Sequence, residues 1–592
     1  VSDLPRKLLV ANRGEIALRI IRTAHELGIA TVAVYSEADR DALHVRRAGE
    51  AYCIGPASPA QSYLDGAQLI EVARRSGAGA IHPGYGFLAE NAAFARAVGA
   101  AGLLWIGPHP AAIEAMGDKL RSREAMRAAG VPVVPGGLAA LPDASAAREA
   151  ARTLGLPLAL KASGGGGGKG LKVARTLEEV EGAFTTARRE AEAYFKDPTI
   201  YAERYLENPK HVELQILADQ HGTVLHVGER DCSLQRRHQK VWEEAPAAIP
   251  ERVRRGLREA GLRAARAIGY DSAGTIEFLV AGDEFFFLEM NTRIQVEHPV
   301  SEMISGLDLI REQIRAAAGE PLGFEQDDVE FRGHAIEVRV NAEDPARDFR
   351  PSPGTLRAYR EPGGPGVRVD SAAYPGWTIP GEYDSLVAKL VVWAPSRAQA
   401  LARMRRAIDE FEIEGVPTTL PLARALADYA PVLDATFGTA TLEPFAASLG
   451  LVPFDAPASA GGAPPQGPEM RVEVNGKLFR VRLLDETVRG PGAARRPAPK
   501  RSTTSRSAAA GNAVVAPMHG VVADVLVAPG AAIEAGQVLV VIEAMKMMNE
   551  LRAPRAGTVE SVAVERGAGV DAGEVLITLT QPAPGDRETP AG

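Results

Sequence analysis

Two segments near the C-terminus are copies of one another, with a lysine between them. Ala516-Pro517-Met518-His519-Gly520 recurs as Ala553-Pro554-Arg555-Ala556-Gly557, an offset of 37 residues. At the same offset Gly530 falls on Gly567, Gly536 on Gly573 and Val538-Leu539 on Val575-Leu576. β-rich half-motifs with glycine at matched turns predict an internally symmetric, flattened β-sandwich over 512–580. Lys546, in Glu543-Ala544-Met545-Lys546-Met547, then sits in the tight connection between the halves, its amine clear of the surface. An ordinary exposed lysine is the alternative reading of that position.

A chain of 592 residues is too long for one hydrophobic core and implies three or four domains. A hydrophobic content of 46% and a charged content of 24% are those of a globular protein. The net charge of −8 gives no reason to invoke nucleic acid or a membrane surface. Two cysteines, Cys53 and Cys232, cannot make a disulfide framework and fit a reducing cytoplasm. Leu8-Leu9-Val10-Ala11 is too short for a signal segment, and no membrane span is expected.

Residues 7 to about 115 alternate apolar strands with amphipathic helices. Lys7–Ala11 and Ala30–Tyr35 read as strands around a helix Glu15–Leu27, with further strands at Ala51–Ile54, Gly79–His82 and Leu103–Ile106. This is the βαβ rhythm of a parallel sheet. The turn Asn12-Arg13-Gly14-Glu15 lacks the spaced glycines of a dinucleotide site. Mixed helix and strand continues from 116 to 447, and an Ala/Pro/Gly-rich break follows at Asp455–Pro468. Residues 471–482 alternate around Asn475-Gly476, a hairpin signal. The stretch 486–511 reads as a basic, Pro/Ala/Ser-rich linker.

Four motifs before residue 300 carry chemistry. Gly164, Gly165, Gly166, Gly167 and Gly168 lie between Lys161 and Lys169. Such a run costs conformational entropy and suits backbone N–H groups closing on an anion, though a flexible loop is the alternative. Glu277 and Glu289, with Asp283 between them, are expected on paired strands of a hairpin; with Asn291 they offer hard oxygen ligands for Mg²⁺. Arg293 and Glu297 share a face if that segment is extended, placing a guanidinium beside a carboxylate base, or else a structural ion pair. The run Arg230–Lys240 is basic, but its Asp and Gln interleaving favours ligand contacts over nucleic acid, and Cys232 within it reads as a structural thiol.

Together with Gly117-Asp118-Lys119 and Glu203-Arg204-Tyr205-Leu206, these motifs resemble the biotin carboxylase branch of the ATP-grasp family over residues 5–447. The Ala-Met-Lys-Met tetrad resembles the biotinyl domain of biotin-dependent carboxylases; the related lipoyl domains usually carry Asp before the lysine. The resemblance implies a multidomain α/β and α+β chain. A Rossmann-like domain would span 1–115, an ATP-grasp domain 116–335 with a lid at 132–205, and a C-terminal carboxylase domain 336–447. A linker with its hairpin would occupy 448–511, and an all-β carrier 512–580.

It further implies that Lys119, Lys161, the glycine run with Lys169, Glu203, Arg204, Leu206, His211, His238, Glu277 and Glu289 bind ATP. Glu277, Glu289 and Asn291 would hold Mg²⁺ or Mn²⁺. Lys240, Arg293, Gln295 and Val296 would surround bicarbonate, with Glu297 as base and Arg339 stabilising the biotin enolate. Lys546 would be biotinylated by a biotin protein ligase. Lys169-Gly170-Leu171 departs from the Arg-Gly-Met of many relatives but keeps the charge.

The resemblance also implies a homo-oligomer through the carboxylase part. Nothing between 448 and 511 is large enough to be a carboxyltransferase, so a separate β subunit would transfer the carboxyl group to an acyl-CoA such as acetyl-CoA or propionyl-CoA. A two-subunit pyruvate carboxylase is the alternative enzyme. An inactive carrier and an amide-forming ligase are the more distant readings.

Overall fold

A computed structural model describes residues 4–454 apart from 138, 164–169 and 238, the strands 469–474 and 477–482, and residues 513–580 apart from 518–519, 545–546 and 571–572. Two compact units result, Val1–Val452 and Pro453–Gly592.

The first unit opens with five parallel strands, Lys7–Val10, Ala30–Tyr35, Glu50–Cys53, Ala80–His82 and Leu104–Trp105, in spatial order 3-2-1-4-5. Leu8, Leu9 and Val10 are fully buried, as a central parallel strand covered on both faces requires. The helix Gly14–Glu26 follows the first strand and packs Ile16, Ile20 and Ala24 inward at helical spacing. The helix Gly66–Ser76 is capped at both ends, by Asp65 accepting from the Gln68 N–H and by Gly77 in the left-handed region. The parallel βαβ expectation holds, with strand ends shifted by a residue or so.

A larger antiparallel sheet of eight strands carries the rest of the unit. Its order is Glu284–Asn291, Ala273–Ala281, Lys210–Ala218, Val224–Arg236, Gln239–Ala245, His334–Asn341, Leu386–Ala394 and Val367–Ser371. The sheet runs unbroken through the 335/336 position, because Trp242 pairs with Val338 and Ala245 with Ala335. Alternation splits its faces. Ile336, Val338 and Val340 join Trp242, Leu390 and Met404 in an apolar core. Glu337 and Arg339 take the intervening positions and turn to the other face.

Residues 144–204 build a small layer with a core of its own. Strands Leu158–Ala162, Leu171–Ala174 and Ile200–Arg204 are backed by helices Ala144–Leu154 and Glu179–Phe195. Leu158, Leu160, Phe184, Ala187 and Ile200 fill it. The five glycines and Lys169 connect two of these strands and lie outside the described residues.

In the second unit, Glu469–Val474 and Lys477–Arg482 pair antiparallel, as the Asn475-Gly476 signal predicts. Residues 486–511, the expected linker, lie outside the described residues. The remaining strands form two four-stranded sheets that obey the sequence repeat. Gly520–Val525, Ala532–Ile533 and Val538–Ala544 shift by 37 onto Gly557–Val562, Gly569–Val570 and the strand beginning at Val575. The repeat even exchanges the sheets: Val538–Ala544 pairs with Gly520–Val525 in one, Val575–Leu579 with Gly557–Val562 in the other. Leu539, Ile542, Val559, Leu576 and Ile577 fill the core between them.

Candidate active site

Three glutamates stand abreast on adjacent strands of the large sheet. Glu289 pairs with Glu277, and Glu277 pairs with Glu213. The expected hairpin is present, with Gly282 and Asp283 at its turn. Glu213 lies opposite Arg230, whose buried guanidinium reaches it at 2.5 Å and also donates to Gln215, Ser301 and Thr275.

Lys240 is the centre of this array. Its Nζ lies 2.5 Å from Glu213, 3.0 Å from Glu277 and 2.6 Å from Glu297. Burial disfavours the ammonium, but the three carboxylates outweigh it and raise its pKa well above the ordinary value. Glu297 is fully buried and bonded to Lys240 and, at 2.9 Å, to Arg339. Burial would raise its pKa, yet Lys240, Arg339 and Arg230 override it and hold the carboxyl well below its usual range. Arg339 is shared, its Nε lying 2.7 Å from Glu243.

Arg293 and Glu297 do not lie on a strand. Residues 292–297 turn into the helix His298–Ser305, so their convergence comes from the turn and not from strand alternation. Arg293 donates to Glu90, Asn291 and Gln295 and raises the positive potential at Glu297. The Val296 carbonyl accepts from Lys389, itself fully buried and 3.1 Å from Glu15.

Towards the small layer, Glu203 is 2% exposed and paired with Arg123 and Lys161, both at 2.9 Å. Burial would raise its pKa, but Lys161 and Arg123 reverse the effect and lower it. Its carboxylate is thereby turned to cations. Arg204 and Leu206 follow it, half-buried. Lys119 reaches Glu289 at 3.2 Å and His211 reaches Glu277 at 3.0 Å. His238 lies outside the described residues.

Glu277, Glu289 and Asn291 offer the hard oxygens that suit a divalent ion. The Asn291 amide donates to Glu277 and its oxygen accepts from Arg293, so its oxygen joins such a set only after the amide turns over. Two tighter groups also occur among the described residues, His211–Glu213–Glu277 and Glu213–Cys232–Glu297. Lys240 already supplies the positive charge there, and burial pushes the Cys232 thiol well up, which keeps it a protonated, poor ligand. The structure thus supports the structural reading of Cys232.

Sequence reasoning missed Glu213, Glu243, Glu337, Lys389 and Arg123. A signal for some was present: His211, Glu213 and Gln215 alternate in an apolar strand, as do Glu337, Arg339 and Asn341. In the second unit, Ala544 pairs with Met547 across a two-residue connection made of Met545 and Lys546, which lie outside the described residues.

Comparison with known proteins covers both units. Residues 5–113 match the family of the biotin carboxylase N-terminal domain and 337–444 that of its C-terminal domain. Residues 118–325 match the carbamoyl-phosphate synthase L chain ATP-binding domain, and 508–579 match "Biotin-requiring enzyme". A pyruvate carboxylase subunit of Methanothermobacter thermautotrophicus is 52% identical over 71% of this chain and 86% of its own. The biotin-dependent acyl-coenzyme A carboxylase alpha3 subunit of Mycobacterium leprae is 45% identical over 92% of this chain and 93% of its own. Among solved structures, the biotin carboxylase domain dimer of Hydrogenobacter thermophilus 2-oxoglutarate carboxylase, with MgADP, ADP and bicarbonate, has a TM-score of 0.72 and 49% identity over 74% of this chain and 98% of that one. The chain belongs to the biotin-dependent carboxylases and joins a biotin carboxylase to a biotin carrier domain.

Proposed function

We propose that this chain carboxylates biotin carried on its own Lys546, using ATP and bicarbonate, and passes the carboxyl group to an acyl-CoA through a separate carboxyltransferase. The observation that carries the reading is Glu297, a buried carboxylate held between Lys240 and Arg339. As it stands Glu297 is a weak base, because two cations stabilise its charge. An anion such as bicarbonate draws on the same cations, weakens their hold and raises the basicity of Glu297 toward that anion's proton. Proton removal prepares bicarbonate to attack the ATP γ-phosphate and form carboxyphosphate. Lys240, Arg293, Gln295 and the Val296 backbone bind and orient bicarbonate, and Arg339 holds negative charge on the acceptor oxygen.

Lys119, Lys161, Lys169, His211, His238 and the backbone of Gly164–Gly168 bind the nucleotide, with Glu203, Arg204 and Leu206 near its base. Glu277, Glu289 and Asn291 would hold Mg²⁺ or Mn²⁺, which when bound offsets triphosphate charge. Biotin, when attached, supplies the nitrogen that receives the carboxyl group, and a biotin protein ligase attaches it.

The acyl-CoA acceptor rests on a relative whose match spans 92% of this chain, the acyl-coenzyme A carboxylase alpha3 subunit. The second reading, one half of a two-subunit pyruvate carboxylase, is favoured by the Methanothermobacter pyruvate carboxylase subunit, 52% identical over 71% of this chain. A dimer through the carboxylase part follows the Hydrogenobacter structure. No helix among the described residues is long and apolar enough to cross a membrane, and the sparse cysteines favour the cytoplasm. Avidin capture of the native complex, followed by transfer of labelled bicarbonate to acetyl-CoA, propionyl-CoA, methylcrotonyl-CoA or pyruvate, tests the acceptor. Label on a short acyl-CoA is expected; label on pyruvate alone selects the second reading, and label on none contradicts both.

A further inference from the structure

Behind Glu297 lies a second pair of carboxylates that the reaction above does not use. Glu243 and Glu337 are directly opposed across adjacent strands, and both are fully buried. Neither carboxylate oxygen of Glu337 accepts a hydrogen bond from a described group, and one oxygen of Glu243 accepts none. Two opposed carboxylates shut away from water cannot both stay ionised, since like charge and desolvation act together.

We propose that Glu243 and Glu337 share one proton at neutral pH, and that Glu337 is thereby a positioning residue for Arg339. Glu243 anchors Arg339 through its Nε, while the same guanidinium reaches Glu297. With one proton in the pair, Glu243 holds Arg339 in place and leaves much of its charge for the reacting anion. With none, two buried negative charges would draw on that guanidinium and weaken its hold on anything else.

The groups around the pair agree. Burial raises Glu337 well above the ordinary carboxyl value, opposed by Lys389 and Arg339 and reinforced by Glu243 and Glu297. Burial likewise brings Glu243 up to about 7, opposed by Arg339 and Lys240 and reinforced by Glu297. Lys389 faces the pair from Leu386–Ala394 but already serves Glu15 and the Val296 carbonyl. The helix His298–Ser305 brings His298, whose pKa burial lowers well below its usual value, and Glu302, which is bonded to Arg19 and Arg368. On the strand Val367–Ser371, Arg368 and Asp370 pair with each other. Arg397, on the helix packed against the opposite face, is bonded to Glu244 instead. An acid whose folded pKa is raised keeps its proton to a higher pH than an exposed carboxyl does and loses it as pH rises through that value.

What Arg339 does rests on the carboxylation reading; the protonation state of Glu337 does not. Glu337→Gln fixes a neutral side chain of the same shape. It is expected to keep neutral-pH carboxylation of free biotin within about twofold and to move the alkaline limb of kcat/KM up by about one pH unit or more, a shift on the scale of one buried charge contact. Infrared difference spectra should show a protonated carboxyl C=O band at neutral pH in the wild type that the variant lacks. Glu337→Met, also neutral, answers the same question if the amide does not fold. An unchanged alkaline limb, no lost carboxyl band, or collapse at neutral pH with recovery in Glu337→Asp would overturn the proposal. A wild-type protein without bicarbonate-dependent turnover would defeat the carboxylation reading and leave the infrared result standing.

Discussion

Glu297, Lys240 and Arg339 act as one charged unit, and removing a member shows what it supplies. Glu297→Gln deletes the proposed base while keeping shape; bicarbonate-dependent ATP turnover should fall by about 10²–10⁴-fold with nucleotide affinity retained. Steady-state turnover beside calorimetric titration with ATP separates the two effects. Lys389 gives a different result. Lys389→Met frees the Val296 carbonyl and leaves buried Glu15 without its nearest cation, costing about 3–5 kcal/mol. A fall in thermal midpoint, largely recovered by adding Glu15→Gln, checks it. Arg293, Gln295 and Glu297 were legible because they crowd one short run. Glu213, Glu243, Glu337 and Lys389 were harder to read, because the groups each one meets come from elements far away in sequence.

At the scale of elements, the hairpin Ala273–Asn291 was legible because strand length and an Asp-containing turn fix which residues oppose, and Glu277 indeed meets Glu289. The sequence put Arg293 and Glu297 on one face only if 292–297 were extended; that condition is not met, since the segment pairs with no strand among the described residues and runs straight into a helix. The repeat in the second unit was legible strand by strand, since both copies carry their glycines at equivalent turns. Gly520 shows why one must stay glycine. A Cβ there would stand 2.7 Å from the Glu543 carbonyl, which is backbone and cannot swing away, and would press on the Ile542 side chain as well. Gly520→Ala should therefore destabilise the carrier by about 1–3 kcal/mol, the usual cost of overpacking. Its melting should shift while carboxylation of free biotin is unchanged; loss of both would place the strain outside the carrier.

For the whole molecule, the division into Val1–Val452 and Pro453–Gly592 separates making the carboxyl group from carrying it. Lys546→Arg should abolish transfer to any acceptor while leaving carboxylation of added free biotin intact, and loss of both activities would contradict this division of labour. Glu297 is proposed to serve carboxylation of the chain's own carrier. The direct measurement is ATP-dependent incorporation of labelled bicarbonate into the biotinylated full-length chain, wild type beside Glu297→Gln. Label on the wild-type carrier and a fall of about 10²-fold or more in its rate in the variant is the predicted result. Equal labelling of the two proteins, or label that appears without ATP, would contradict it.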